Sequence, residues 1–402
     1  MTATGERAVT PRILPLLMLL FAVGDLSTSL LVPSLPGIAR EFGTPDVTAQ
    51  LAISGFAMAF GLCQLLMGPL SDAFGRRPVL IGGLVLFGAG SVLAALAPGI
   101  ETLIAGRVVQ GAGASAGYVL ARAVVRDIAT DDRQTARMMA PLFIANGSMM
   151  ICGPLIGEAL MPHGGWRAAI LAGLLVAGIA CVWVVSSFRE TLQERMTTGL
   201  NPIRMARTYT GLFVHGRYFA YLITHCCAYG ATYTFVANAP FIDLANGQAG
   251  PLGVGISVGV VMAGFLTGLM IARRLAASIG VPQGAHYFVI ASIVPLLVQI
   301  ALYQTGLLHQ YAYLALEFLI VALVGGMAPF TAAGVVIEAP GRAGSGAALL
   351  GASQMLTAAG VIVVVGFLND GTMLPLALMQ AALLVAAVAG FRLTYGPIPK
   401  TA

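Results

Sequence analysis

Three ionisable side chains stand in stretches that offer them almost no polar company. Asp25 lies in FAVGDLSTSLLVP, Arg107 in LIAGRVVQGAGAS and Glu317 in LALEFLIVALV. A charge in an apolar medium is expensive, so each is a functional candidate by default. On a helix Ser29 falls one turn after Asp25 on the same face, with Thr28 beside it. The chemistry open to such a carboxyl is reversible protonation, and a proton site is the favoured reading over a permanently hydrogen-bonded structural one. Arg107 falls at a similar depth in its own stretch, and a buried guanidinium needs a partner. The expectation is that Arg107 pairs with Asp25, or with another acceptor on the same segment, as a proton-sensitive link or as a fixed tie between helices. Glu317 is a second candidate for carrying a proton or attracting a cation. Glu158 fits a water interface.

A different constellation suits ligand contact. HCCAYGATYTFVANAP places Tyr229 and Tyr233 at i,i+4 and Asn238 a turn further, next to Pro240. Such a stripe offers a large apolar surface with sparse hydrogen-bond handles, as small-molecule sites do, although helix packing uses the same residues. Asn146, Met149 and Met150 add an amide and two adaptable thioethers, and Gln354 is the main polar residue of a small-residue stretch. Catalytic and metal chemistries are not indicated. The five cysteines (Cys63, Cys152, Cys181, Cys226 and Cys227) have no CxxC spacing and the five histidines no HExxH, so neither a metal nor a cofactor is expected. No GxxxxGK[ST] loop is present to bind ATP, and the chain is not read as an enzyme.

These residues are positioned by long apolar segments. The chain has 402 residues, 58% hydrophobic and 9% charged, far below the charge of a soluble surface. Twelve apolar stretches, each long enough to cross a bilayer as a helix, lie near 12–33, 47–70, 78–97, 102–123, 136–160, 167–187, 218–242, 252–272, 285–303, 310–335, 345–368 and 374–394. The first, preceded by Arg7 and Arg12, reads as a retained signal anchor. All basic residues except Arg40, Arg107 and Arg167 then fall on one side, which makes that side and both termini cytoplasmic. The net charge of +5 is thus topogenic, and no nucleic-acid partner is expected. The longest polar stretch divides the spans into a bundle at 1–187, a linker at 188–217 with a short amphipathic helix, and a second bundle at 218–402. Two such halves around a midplane cavity suit alternating access.

Residues 68–79 read GPLSDAFGRRPV, the cytoplasmic loop between spans 2 and 3. Gly68 and Gly75 permit turns and close helix approach. Asp72 can face a helix N-terminus of the other half, and Arg76 and Arg77 can pair with carboxylates across the seam, a gate that closes and releases. An ordinary topogenic loop is the alternative. The segment closely resembles the loop 2–3 signature of the major facilitator superfamily, and LIAGRVVQGAGAS, with Arg107, Gln110, Gly111 and Gly113, resembles that family's span 4 motif. VPSLPGIA at 32–39, RETL at 189–192, FVANAPFI at 235–242 and GSGAALLGASQ at 344–354 are similar to the bicyclomycin-resistance (Bcr/CflA) group of drug exporters.

The resemblance implies an all-α membrane fold of twelve helices in two pseudo-symmetric six-helix halves. It also implies proton-driven antiport and small amphipathic substrates. Two positions depart from the pattern. Ser29 stands where that group carries an aspartate, with Asp25 one turn earlier. The fifth span reads GPLIGE, keeping Gly153 and Pro154, which should kink it, but not the glycine pair. The expected protein is a monomeric multi-pass exporter in a bacterial-type inner membrane, its partners being substrate, protons and lipid. The alternative is a dedicated exporter or importer of one metabolite or siderophore.

Overall fold

The computed structural model describes residues 13–129, 132–192, 202–245, 253–276, 278–339, 343–368 and 372–395. Arg7, Arg12, Arg195, Arg342 and Lys400, used above to orient the chain, lie outside them. Helix follows helix: α1 (Ile13–Leu31), α2 (Leu35–Phe42), α3 (Asp46–Phe74), α4 (Arg76–Ala95), α5 (Ile100–Ile128), α6 (Asp132–Leu160), α7 (Gly165–Ser187) and α8 (Pro202–Phe213). Then come α9 (Gly216–Ala245), α10 (Val254–Leu275), α11 (Val281–Ala291), α12 (Ile293–Gln304), α13 (Gln310–Ile337), α14 (Ala343–Leu368) and α15 (Leu374–Tyr395). Among the described residues there is no strand, as expected where only helices or closed barrels can satisfy the backbone in lipid.

Glycine and proline set the breaks. A short 3-10 turn, Val32–Ser34, carries Pro33 and joins α1 to α2, and α2 ends at Gly43 in the left-handed conformation. A single residue, Gly75 with φ +101°, separates α3 from α4. At that φ any side chain would be strained. Prolines 141 and 154 are carried inside α6, which continues through both.

Among the described residues, eleven helical segments are long and apolar enough to cross a membrane. The expected seventh span is α9, which is not one of them: its 30 residues are long enough to cross, but Thr224, His225, Thr232, Thr234 and Asn238 make it polar. Those side chains are buried, so the polarity faces protein.

Within the first half α5 packs on α3 and α4, and α1 on α5, α6 and α7. Within the second, α13 packs on α10 and α11, and α9 on α13 and α15. The halves meet chiefly through two pairs, α3 with α14 and α6 with α10. Gly61 shows how close the first pair lies, since a Cβ there would come within 3.0 Å of the Ala352 carbonyl.

Candidate functional site

Four helices converge on one cavity. On α1, Asp25, Thr28, Ser29 and the following Val32 recur at helical spacing; α6 contributes Met150 and Pro154, α9 Thr232, Tyr233 and Val236, and α10 Val258 and Met262. The space is about 410 Å³ including its opening. Asp25, Ser29, Met150, Pro154 and Tyr233 were legible as candidates, and the structure brings them together. The Thr28 hydroxyl donates to the Gly24 carbonyl at 3.3 Å, leaving Asp25 as the carboxyl of the wall. Its carboxyl has the Asn146 side chain as hydrogen-bond partner, while Asn146 Oδ1 is buried without one. Gly153 seats α6 on α1: a Cβ there would lie 2.4 Å from Ser29 Cβ.

Arg107 does not pair with Asp25. Its guanidinium, fully buried, donates to the Ala52 carbonyl at 3.1 Å, the Ser27 hydroxyl at 2.9 Å, the Thr28 hydroxyl at 3.4 Å and Gln110 Oε1. It also lies 4.3 Å from the centroid of Phe56. Helical geometry explains the failed pairing. Ser27 is two residues, about 200°, from Asp25, and Thr28, at the edge of the cavity wall, is the other α1 side chain that Arg107 reaches, so the α1 face that meets α5 is turned away from Asp25. The other expected arrangement, an acceptor elsewhere on the same segment, is the one found: Ser27 and Thr28 of α1, with a ring against the guanidinium.

At the Arg76 end of the bundle the charges close on their own half. Arg76 Nη1 is 2.6 Å from Asp72 Oδ1 and Nε 2.9 Å from Asp127 Oδ2, which also accepts from Thr191 at 3.1 Å. Arg77 donates to the Val185 carbonyl at 2.7 Å. The expected pairing across the seam is absent among the described residues. Gly68 makes no close approach either, since nothing lies within 4 Å of where its Cβ would be. The missed participant is Glu190. Its carboxylate accepts from the backbone N–H of Arg76 (2.9 Å), Arg77 (3.1 Å), Thr191 (3.0 Å) and Leu192 (3.1 Å), so it caps the N-terminus of α4.

Partial burial pushes the Glu190 carboxyl up, but the four N–H donors outweigh it and hold the group below its ordinary range. A depressed carboxylate contributes stability that is complete above its unfolded pKa and is lost as pH falls through the folded value. Glu190→Ala should therefore lower the stability of the purified protein by about 1 kcal/mol at neutral pH. The gap between wild type and variant should shrink when thermal unfolding is repeated in the acid range where carboxylates protonate. An unchanged gap would mean the charge is not what caps α4.

In the second half the candidates separate. Tyr229 stacks on His225 at 4.8 Å and meets Phe265 edge-on, outside the cavity wall. His225 joins Thr331 Oγ1 at 2.7 Å to Gln354 Oε1 at 3.0 Å. Sequence reasoning passed over His225 because a lone histidine carries no spacing signal, and its partners are more than 100 residues away. Glu317 does not face the cavity. It is fully buried between α12, α13 and α15, accepting from the Gln299 amide at 3.1 Å and the Gln380 amide at 3.0 Å.

Asn238 lies at the seam. Gln50 Nε2 of α3 donates to its Oδ1 at 3.4 Å and to the Ala237 carbonyl at 3.2 Å. Nearby, Glu158 of α6 accepts the Gly255 N–H at 2.6 Å and so caps α10 of the other half. A carboxylate does face a helix N-terminus across the seam, but it is Glu158 at the opposite end from Asp72. Among the described residues, no three histidine, cysteine or acidic side chains are grouped to hold a metal ion.

Comparison with known proteins agrees with this architecture. A family model described as Major Facilitator Superfamily matches residues 17–364. The chain is 28% identical over 386 residues, 94% of each chain, to the uncharacterized MFS-type transporter YdgK of Bacillus subtilis (strain 168). It is 30% identical over 238 residues to a chloramphenicol resistance protein of Pseudomonas aeruginosa, covering 59% of this chain and 55% of that one. It is 28% identical over 220 residues, 54% of each chain, to multidrug resistance protein D of Escherichia coli (strain K12). Among solved structures it is similar in fold to the human organic anion transporter MFSD10 (TETRAN), with TM-score 0.69, 19% identity and coverage of 97% and 100%. It is likewise similar to a peptide transporter POT in complex with sulfate, with TM-score 0.75, 13% identity and coverage of 96% and 95%.

Proposed function

The chain belongs to the major facilitator superfamily, a multi-pass membrane fold, and from that premise we propose that it exports small amphipathic compounds in exchange for protons. The observation that carries the reading is Asp25. It is the carboxyl in the wall of a cavity otherwise built from Thr, Ser, Met, Val, Pro and Tyr side chains, and among the described residues no cation neutralises it. A carboxyl in that position exchanges its proton for a ligand entering the same space. Met150, Met262 and Tyr233 give the ligand an adaptable apolar bed, and Ser29 and Thr232 give it sparse hydrogen bonds.

The finer assignment to the bicyclomycin-resistance group rests on the stretches quoted above and is supported by the relatives named for drug resistance. In this reading the Arg76 end is cytoplasmic, the membrane is a bacterial inner membrane, and the bundles 1–187 and 218–402 rock about the α3–α14 and α6–α10 contacts. The contacts made by Gln50 and Glu158 hold the far end closed. Gly153, packed on Ser29, and Pro154 in the cavity wall would carry motion of α6 into the cavity.

The test is a growth-inhibition panel in a bacterial host lacking its own efflux pumps, at matched membrane expression. Wild type should raise resistance to several unrelated amphipathic antibiotics and dyes, and Asp25→Asn should return it to the empty-vector level. Resistance retained in Asp25→Asn would remove the proton site from Asp25. Resistance to no compound would favour a single-metabolite transporter on the same fold.

A further inference from the structure

Arg107 and Arg122 lie on the same helix, fifteen residues apart, and their surroundings differ in kind. Every nitrogen of the Arg107 guanidinium has an oxygen acceptor, and a ring lies against it. Arg122 is partly buried and lies 4.6 Å from the centroid of Tyr118 and 5.9 Å from that of Phe21, which are themselves stacked at 4.3 Å. Among the described residues it has no hydrogen-bond acceptor and no carboxylate. The five N–H donors of a guanidinium seldom go unused inside a helical bundle, and rings satisfy its faces but not its edges.

Its neighbour increases the imbalance. Arg126 follows one turn later on the same helix, a like-charge i,i+4 pair. Arg126 reaches the other half: its Nη1 lies 3.2 Å from where a Gly344 Cβ would be, at the start of α14. Asp127, the nearest acid in sequence, is already engaged by Arg76 and Thr191. Among the described residues, Arg122 and Arg126 therefore have no counter-charge like the one Arg76 has.

The position ties this feature to the cavity. Phe21 is about one turn of α1 from Asp25, about 6 Å along the axis. Tyr118 is close enough to interact electrostatically with Asp25, Tyr229 and Tyr233, and Phe60 packs edge-on against it at 5.4 Å. Phe21 and Phe60 are buried behind Tyr118, which is partly exposed and is the ring that lies between Arg122 and the Asp25 region. Resting on the export reading above, we propose that Arg122 is an anion subsite and that the preferred substrates are amphipathic anions. The carboxylate or sulfonate sits on the Arg122 guanidinium with Arg126 beside it, and the apolar body lies along Tyr118 toward Met150 and Tyr233. A planar guanidinium suits such groups because two parallel N–H bonds reach both oxygens.

The test uses a matched pair, dansylglycine and its neutral amide dansylglycinamide, titrated by fluorescence against the purified full chain in phosphatidylcholine nanodiscs. Wild type should bind the acid about tenfold more tightly than the amide, the gain expected of one charge-assisted bidentate contact. Arg122→Gln should bring that ratio to about one by weakening the acid alone, and Arg122→Lys should keep part of it. Equal affinity for acid and amide in wild type would overturn the subsite while leaving amphiphile binding in place, and that comparison needs no variant to fold. An unchanged ratio in Arg122→Gln would also overturn it. Binding of neither compound would count against the export reading itself and the subsite with it. Loss of the wild-type preference on adding phosphatidylglycerol would identify a lipid headgroup as the occupant and overturn the substrate assignment.

Discussion

Arg107→Ala destabilises the protein by about 3–5 kcal/mol, enough to remove most folded material from the membrane. The substitution takes one donor group away from the Ala52 carbonyl, the Ser27 and Thr28 hydroxyls and Gln110 Oε1 together, and leaves a cavity against Phe56. Arg107→Lys recovers little, because a single ammonium cannot span acceptors on α1, α3 and α5 while lying flat on a ring. A sharper consequence separates the acceptors from the charge. In Arg107→Met the volume is largely kept but Gln110 Oε1 is orphaned, its amide nitrogen still donating to Ser91 at 2.7 Å. The double variant Arg107→Met, Gln110→Leu should therefore be more stable than Arg107→Met alone. Thermal unfolding in detergent, read alongside membrane yield, measures the order. If the double variant were the weaker, the unsatisfied acceptor would not be the dominant cost.

Gly113→Leu should be equally damaging for a different reason. A Cβ at Gly113 would fall 2.3 Å from the Phe87 nitrogen and 2.5 Å from the Gly83 carbonyl, both on the backbone of α4. No rotamer change relieves a clash with main chain, so α4 and α5 must separate along a buried contact, at a cost above about 3 kcal/mol. Gly113→Ala places the same Cβ and should fail nearly as badly. Gly68 supplies the contrast, since the space beyond it is open. Gly68→Leu should be neutral or slightly stabilising, as expected of a half-buried helical glycine with open space beyond its Cβ. Size-exclusion profiles of the three variants should show loss of the monodisperse species at position 113 and its retention at position 68.

The spans were legible because hydropathy is a property of local sequence, and the turn at Gly75 because a glycine between two apolar runs needs no distant partner to explain it. The cavity wall on α1 and α6 was legible for a related reason: a carboxyl or a thioether among aliphatic residues stands out, and helical spacing says which neighbours share its face. Partner choice was not legible. Depth along a span placed Arg107 level with Asp25, but it carried no information about rotation, and rotation decided that Ser27 and Thr28 face α5. Val258 and Met262 were invisible as wall residues because an apolar side chain facing a cavity reads the same as one facing lipid. Glu190 drew attention only as part of RETL. Its service to α4 depends on a contact across 114 residues, which no local pattern encodes.

The polar contacts that join the halves at the Glu158 end have a thermodynamic meaning apart from their geometry. Gln50 makes one shared hydrogen bond to Ala237 and Asn238, and the Glu158 carboxylate accepts one charge-assisted bond from Gly255. Together these are worth about 3 kcal/mol net when solvent exchange is counted. As a two-state equilibrium, 3 kcal/mol leaves the other arrangement populated at about one molecule in a hundred. A proton or ligand that favours the minor arrangement by a similar amount would bring the two to parity without having to break anything else. In the proposed exchange cycle, a bias of this size is one that binding at the cavity would reverse.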